Sequence, residues 1–123
     1  MDERQLTEEE RRTLETIEIY RAEHATWNLE RLEKLFTDNP TIWRGPDEHV
    51  GKDAVKKLIA KWAANASHTV MNHQRVVVQD NRAAVEWTTV GTATDGSPVD
   101  MAGANVYELE DGKIKYLAIY RRR

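Results

Sequence analysis

Tyr20 and His24 lie four residues apart, on a stretch where Thr13, Ile17 and Trp27 fall on the same helical arc. That spacing sets a phenol and an imidazole one turn apart on one face. A neutral imidazole, with an ordinary pKa of about 6.5, can take a proton. A phenolic hydroxyl can hydrogen-bond an oxygen as it gathers negative charge in an enolate or phenolate. The pair is the chain's leading candidate for acid–base chemistry. The same pattern also describes an amphipathic helix that keeps a hydrogen-bonded Tyr and His in or near a core.

Arg44 and Arg121 are the next candidates, because a guanidinium binds carboxylate or phosphate through two parallel N–H donors. The plainer alternatives are Arg44 paired with Asp47 or Glu48, and Arg121 in solvent. Trp27, Trp43, Trp62 and Trp87 come from different elements, and an aromatic wall built from them suits a flat apolar ligand; core packing accounts for them as well. His68 and Asn72 share a strand face, whereas His49 and His73 are less easily placed. The chain has no His-Glu-x-x-His, no acidic calcium loop, no phosphate-binding glycine loop and no cysteine, so neither a metal nor another cofactor is expected.

The elements that must carry these residues fit in one domain of 123 residues, with residues 1–7 polar and frayed. A net charge of −3 removes the electrostatic case for a nucleic-acid partner, and Arg121-Arg122-Arg123 is too short a basic run to restore it. No apolar run approaches the roughly 18 residues that span a bilayer. The polar start lacks the apolar core of a secretory leader, so a cytoplasmic location is expected.

Thr7-Glu8-Glu9-Glu10 reads as a capping box opening a helix to about Trp27. Asn28 caps a short second helix carrying Leu29, Leu32, Leu35 and Phe36, which Asp38-Asn39-Pro40 breaks. Residues 41–44 read as a short strand and 45–49 as a loop. A third helix follows Gly51 and buries Val55, Leu58, Ile59 and Trp62. Residues 68–123 then read as four strands joined at Gln79-Asp80-Asn81-Arg82, Thr94-Asp95-Gly96-Ser97 and Glu110-Asp111-Gly112-Lys113, since Asp-Gly between Val-, Thr- and Tyr-rich runs signals a hairpin. A three-residue turn with Gly112 as a bulge sets Asn105 opposite Leu117, and the preceding hairpin sets Trp87 opposite Gly103. One face then carries Val85, Trp87, Met101, Gly103, Asn105, Leu117, Ile119 and Arg121; the other carries Val106, Tyr116, Ala118 and Tyr120. A two-residue turn would shift a register by one and exchange the faces. Helices before an antiparallel meander make an α+β domain whose curved sheet can cup a pocket.

In order and spacing, Leu32-Glu33-Lys34-Leu35-Phe36-Thr37-Asp38, Val50-Gly51-Lys52-Asp53-Ala54-Val55 and Val106 to Ile114 resemble the nuclear-transport-factor-2-like superfamily, which includes SnoaL-like and ketosteroid-isomerase-like proteins. The resemblance spans roughly residues 10–121. It implies a cone-shaped, mostly antiparallel sheet with three N-terminal helices on its concave face, an interior pocket, and commonly a homodimer through the convex face. In ketosteroid isomerases a helix-one tyrosine and a late-strand aspartic acid donate to an oxyanion; Tyr20 and Asn105 fall at those places. Their aspartate base falls where this chain has Arg44 or Gly45. The histidine that SnoaL-like cyclases often carry after a Gly-Thr is Ala93 here.

The expected function is acid–base chemistry of isomerase, cyclase or dehydratase type on a small aromatic or polycyclic ligand. Tyr20 and Asn105 donate hydrogen bonds and His24 moves the proton. Trp27, Trp43, Arg44, Trp62, Trp87, Met101, Leu117 and Arg121 form the ligand's surroundings. Two alternatives remain open: a pocket that binds without chemistry, and a dimerisation module with its cavity packed shut.

Overall fold

The computed structural model describes residues 5–122; the fraying expected for residues 1–7 falls mostly on residues that lie outside this range, as does Arg123. The chain runs α1 (Glu8–Thr26), α2 (Leu29–Glu33), β1 (Phe36–Arg44), β2 (Asp47–Val50), α3 (Lys52–Asn65), β3 (Ala66–Gln79), β4 (Arg82–Ala93), β5 (Pro98–Glu110) and β6 (Lys113–Arg122). The strands form one curved, unclosed sheet in the order β2-β1-β6-β5-β4-β3. All neighbours are antiparallel except β1 and β6. The α+β cone with its three helices is the architecture expected from the sequence.

Helix α1 begins at the capping box: Thr7 Oγ1 accepts from the Glu10 backbone N–H at 3.1 Å, and Glu10 Oε1 accepts from the Thr7 N–H at 3.0 Å. The buried face of α1 is also tied to the sheet through polar side chains. Glu10 Oε2 accepts from the Asp80 N–H, Thr13 Oγ1 donates to the Asp80 carbonyl, and Thr16 Oγ1 donates to the Gly112 carbonyl. Two hairpin turns are thus fastened to one helix. Its end is set by Trp27, whose backbone is left-handed at φ 51°.

Three boundaries differ from the sequence reading. Helix α2 stops at Glu33, and Leu35 and Phe36 leave it, Phe36 to start β1. Strand β1 begins at Phe36 and not at residue 41, so Asp38-Asn39-Pro40 is an irregular stretch of it, where the register against β6 slips between Phe36 and Thr41. A proline has no N–H for the ladder and is accommodated at such a bulge. Residues 47–50 form an edge strand, not a loop, with Arg44 opposite Asp47 and Thr41 opposite Val50. Asp, Glu and His have weak strand propensity, so only pairing with β1 reveals it; their charges also blunt the sheet edge.

The β5–β6 register also differs, in an instructive way. Glu110 pairs with Lys113 across a two-residue turn, with both Asp111 (φ 50°) and Gly112 (φ 78°) left-handed. A second slip follows, because Leu109 faces Ile114 while Glu108 faces Tyr116. The two shifts add to two residues, and a shift of two preserves faces. Asn105 therefore lies opposite Ile119 rather than Leu117, yet every side chain keeps its expected face. Trp87 lies opposite Gly103, as expected.

The inner face is built in rows across the strands. Met71, Thr89 and Met101 form one row; His73, Trp87, Gly103 and Arg121 the next; then Val76, Val85, Asn105, Ile119 and Arg44. The row below, with Val78, Ala83, Tyr107, Leu117 and Ile42, closes against Ile17 and Tyr20 to form the core.

Candidate functional site

The concave side of the cone holds an open-mouthed cavity of about 610 Å³. Helix α1 contributes Tyr20, His24 and Trp27 to its lining, α3 contributes Leu58, Lys61 and Trp62, and the sheet contributes Trp87, Met101, Asn105 and Arg121, with Arg44 from β1. Nine of the eleven residues singled out in the sequence are brought together there. Two are not. Leu117 is fully buried one row deeper, because the register moves it opposite Tyr107. Trp43 lies between Ile42 and Arg44 on β1, so alternation turns it to the other face, where its ring packs 5.1 Å from that of Tyr120.

A buried hydrogen-bond relay forms the cavity floor. The Trp87 indole N–H donates to Asn105 Oδ1 at 2.8 Å, and Asn105 Nδ2 donates to the Tyr107 hydroxyl at 3.0 Å. An indole N–H can only donate, so the amide orientation of Asn105 is fixed: oxygen toward Trp87, nitrogen toward Tyr107. The second N–H of Nδ2 remains without a partner among the described residues. Gly103 is what lets the indole lie where it does, since a Cβ there would fall 2.7 Å from Trp87 Cζ2 and 2.3 Å from the Tyr120 carbonyl.

Tyr20 is buried beside this relay, its ring 5.9 Å from that of Tyr107 and 4.9 Å from that of His24. Burial, with the neighbouring phenol of Tyr107, raises its pKa well above the usual tyrosine value; burial raises that of Tyr107 too. Both stay protonated donors at neutral pH. His24 Nδ1 lies 2.9 Å from the Tyr20 backbone carbonyl. A carbonyl only accepts, so Nδ1 carries the proton and Nε2 keeps its lone pair. Among the described residues neither His24 Nε2 nor the Tyr20 hydroxyl has a hydrogen-bond partner. Burial pulls the His24 pKa down to about 4, against the Tyr20 carbonyl, which favours the cation; His73 and Arg21 add repulsion. His24 is therefore a neutral, weakly basic acceptor at neutral pH.

Trp27 Nε1 is buried without a partner, a further donor in the lining. Asp100 is the one carboxylate among the lining residues and is solvent-exposed. Arg44 lies over the Trp62 ring at 5.9 Å and forms no ion pair with Asp47 or Glu48. No group of three or more His, Asp or Glu among the described residues is disposed to hold a metal. No helix among them is long and apolar enough to cross a membrane.

Sequence reasoning missed several members. Tyr107 and Thr89 extend the inward alternation through Asn105 and Trp87 by two residues, a signal present in the pattern. Lys61, Asn65 and Met71 depend on how α3 and β3 meet the cone and carry no such local sign.

A SnoaL-like domain model matches residues 11–117, and the chain belongs to that family. Its superfamily is the nuclear-transport-factor-2-like one expected from the sequence. The fold is similar to a putative SnoaL-like polyketide cyclase from Jannaschia sp. (TM-score 0.83, 13% identity, 96% of this chain and 90% of that one). It is similar to a putative isomerase from Bacillus subtilis (TM-score 0.84, 18% identity, 94% and 90%). It is also similar to the epoxide hydrolase/cyclase-like enzyme SalBIII of pyran ring formation in salinomycin (TM-score 0.80, 18% identity, 94% and 95%). At these identities the likeness establishes the fold. No curated protein sequence is significantly similar to the chain.

Proposed function

We propose that this protein is a small-molecule enzyme of isomerase or cyclase type, acting by proton transfer on a flat, largely apolar ligand that carries a carbonyl or phenolic oxygen. One observation carries this reading: the cavity floor holds unpartnered hydrogen-bonding groups of complementary kinds. The Tyr20 hydroxyl and the second Asn105 N–H are donors; His24 Nε2 is an acceptor. The indoles of Trp27, Trp62 and Trp87 supply the apolar wall. A ligand oxygen between Tyr20 and Asn105 gains stabilisation as it becomes an enolate, which lowers the acidity demanded of the neighbouring C–H. His24 Nε2 takes that proton and returns it elsewhere on the carbon skeleton.

The test is proton exchange on a model ketone. With 2-tetralone in deuterium oxide, the protein should speed replacement of the hydrogens next to the carbonyl by deuterium, followed by NMR. Tyr20→Phe and His24→Ala should each slow that exchange at least tenfold, or about 1.4 kcal/mol in barrier. No acceleration, or unchanged rates in both variants, would refute the assignment.

The low basicity of His24 favours a second reading, a pocket that binds such ligands without turnover. It predicts saturable binding of 2-tetralone, read by tryptophan fluorescence, with no exchange. Either reading accommodates a homodimer. Val70, Val90, Val106 and Tyr120 are exposed on the convex face and supply apolar area for one.

A further inference from the structure

The proposed acid–base reading leaves the charged rim of the cavity unexplained. Lys61, Arg44 and Arg121 line it, against Asp100 alone, in a chain whose net charge is −3. Neither Arg44 nor Arg121 forms an ion pair among the described residues. Strand β1 runs parallel to β6 with Arg44 opposite Ile119, so Arg121, two residues on, is its diagonal neighbour on the same face. The Arg44 guanidinium lies against the Trp62 indole. Such a contact restrains the guanidinium and leaves its N–H edge free.

A second hollow, of about 660 Å³, opens beside the first and shares Arg44, Asp100, Met101, Ile119 and Arg121 with it. It adds Arg122 and the Trp43–Tyr120 pair. The two arginines thus stand where one space passes into the other. A ligand whose ring system lies against Trp27, Trp62 and Trp87 has its far end between them.

We infer that the ligand is an organic acid: an apolar ring body with a carbonyl or phenol at the floor and an oxyanion, carboxylate or phosphate monoester, held at the rim by Arg44 and Arg121. The inference rests on the proposed pocket and names the class of molecule it takes. Two guanidiniums without counter-ions gain charge-assisted, two-pronged hydrogen bonds from such a group. A neutral ring compound leaves both facing solvent. The net negative chain makes a positive rim selective for anions rather than a reflection of overall charge.

Calorimetric titration at low salt tests this with 2-naphthol, 6-hydroxy-2-naphthoate and 2-naphthyl phosphate. At least one acid should bind tenfold or more tightly than 2-naphthol; whichever acid leads identifies the oxyanion. In the Arg44→Gln/Arg121→Gln double variant that advantage should fall to within twofold. The variant should keep a wild-type far-UV dichroism spectrum and still bind 2-naphthol saturably, which shows that it folds and keeps its cavity. Raising the ionic strength from about 0.05 to 0.5 M should weaken the acid selectively. Equal binding of acids and 2-naphthol overturns the inference and leaves the acid–base reading standing. An acid preference that survives the double variant overturns it too. Binding of none of the three overturns both.

Discussion

Replacing Asn105 by Leu tests the relay that organises the cavity floor. Leu is close in size and apolar, so the change removes hydrogen bonds without opening a large void. The Trp87 indole N–H loses its 2.8 Å acceptor, and the Tyr107 hydroxyl loses its 3.0 Å donor. Asn105 and Tyr107 are almost wholly inaccessible, at 2% and 0% exposure, so water does not substitute. Each orphaned group costs about 1–3 kcal/mol, and the apolar side chain regains roughly 1 kcal/mol by burial. The expected net loss is about 3 kcal/mol. Tyr107→Phe alone should cost about 1.5 kcal/mol. In the Asn105→Leu background it should cost almost nothing, because its hydroxyl is already unpaired there. The coupling between the two should therefore exceed about 1 kcal/mol. Equilibrium urea unfolding by far-UV circular dichroism measures all four proteins, with an unchanged m-value as the check that the states are comparable. Strictly additive costs, or an Asn105→Leu protein within about 0.5 kcal/mol of wild type, would show that the relay is not a coupled unit.

Gly103→Ala should destabilise the protein by about 2 kcal/mol or more and alter the near-ultraviolet dichroism of Trp87, since its Cβ meets the Tyr120 carbonyl and the indole; a wild-type spectrum and melting temperature would refute the packing argument. The His24 imidazole should titrate at about 4 by NMR. Between pH 6.5 and 4 the unfolded chain binds a proton that folded His24 refuses, so this contribution, present above about pH 6.5, is lost as pH falls toward 4, by about 3 kcal/mol. His24→Gln should remove that share of the acid slope, and an unchanged slope would count against it. Val106→Glu on the convex face should convert the proposed homodimer to monomer in sedimentation, with the wild type sedimenting as monomer being the contrary result.

Local chemistry alone determined much of this protein. The Thr7–Glu10 box starts α1 because its two bonds join residues three apart, and the hairpin turns form where Asp-Gly and Asp-Asn tolerate left-handed backbone. Alternation put Trp87, Asn105 and Arg121 on one face, and it survived a register error because that error was even-numbered. What the sequence could not reveal were features that depend on distant partners. Asp47–Val50 is a strand only because β1 lies beside it, and Asp38-Asn39-Pro40 is extended only because β1 runs on to meet β6. The site divides the same way. The identities of Tyr20, His24 and Asn105 announced hydrogen bonding, but a residue type does not state its depth, tautomer or free valence. The tertiary structure settled these by burying Tyr20 and Asn105 and setting the Tyr20 carbonyl against His24 Nδ1. It also turned the Asn105 amide so that one N–H is left over. A proton's position and a group's pKa follow from what surrounds it, and those surroundings come from strands and helices far apart in the chain.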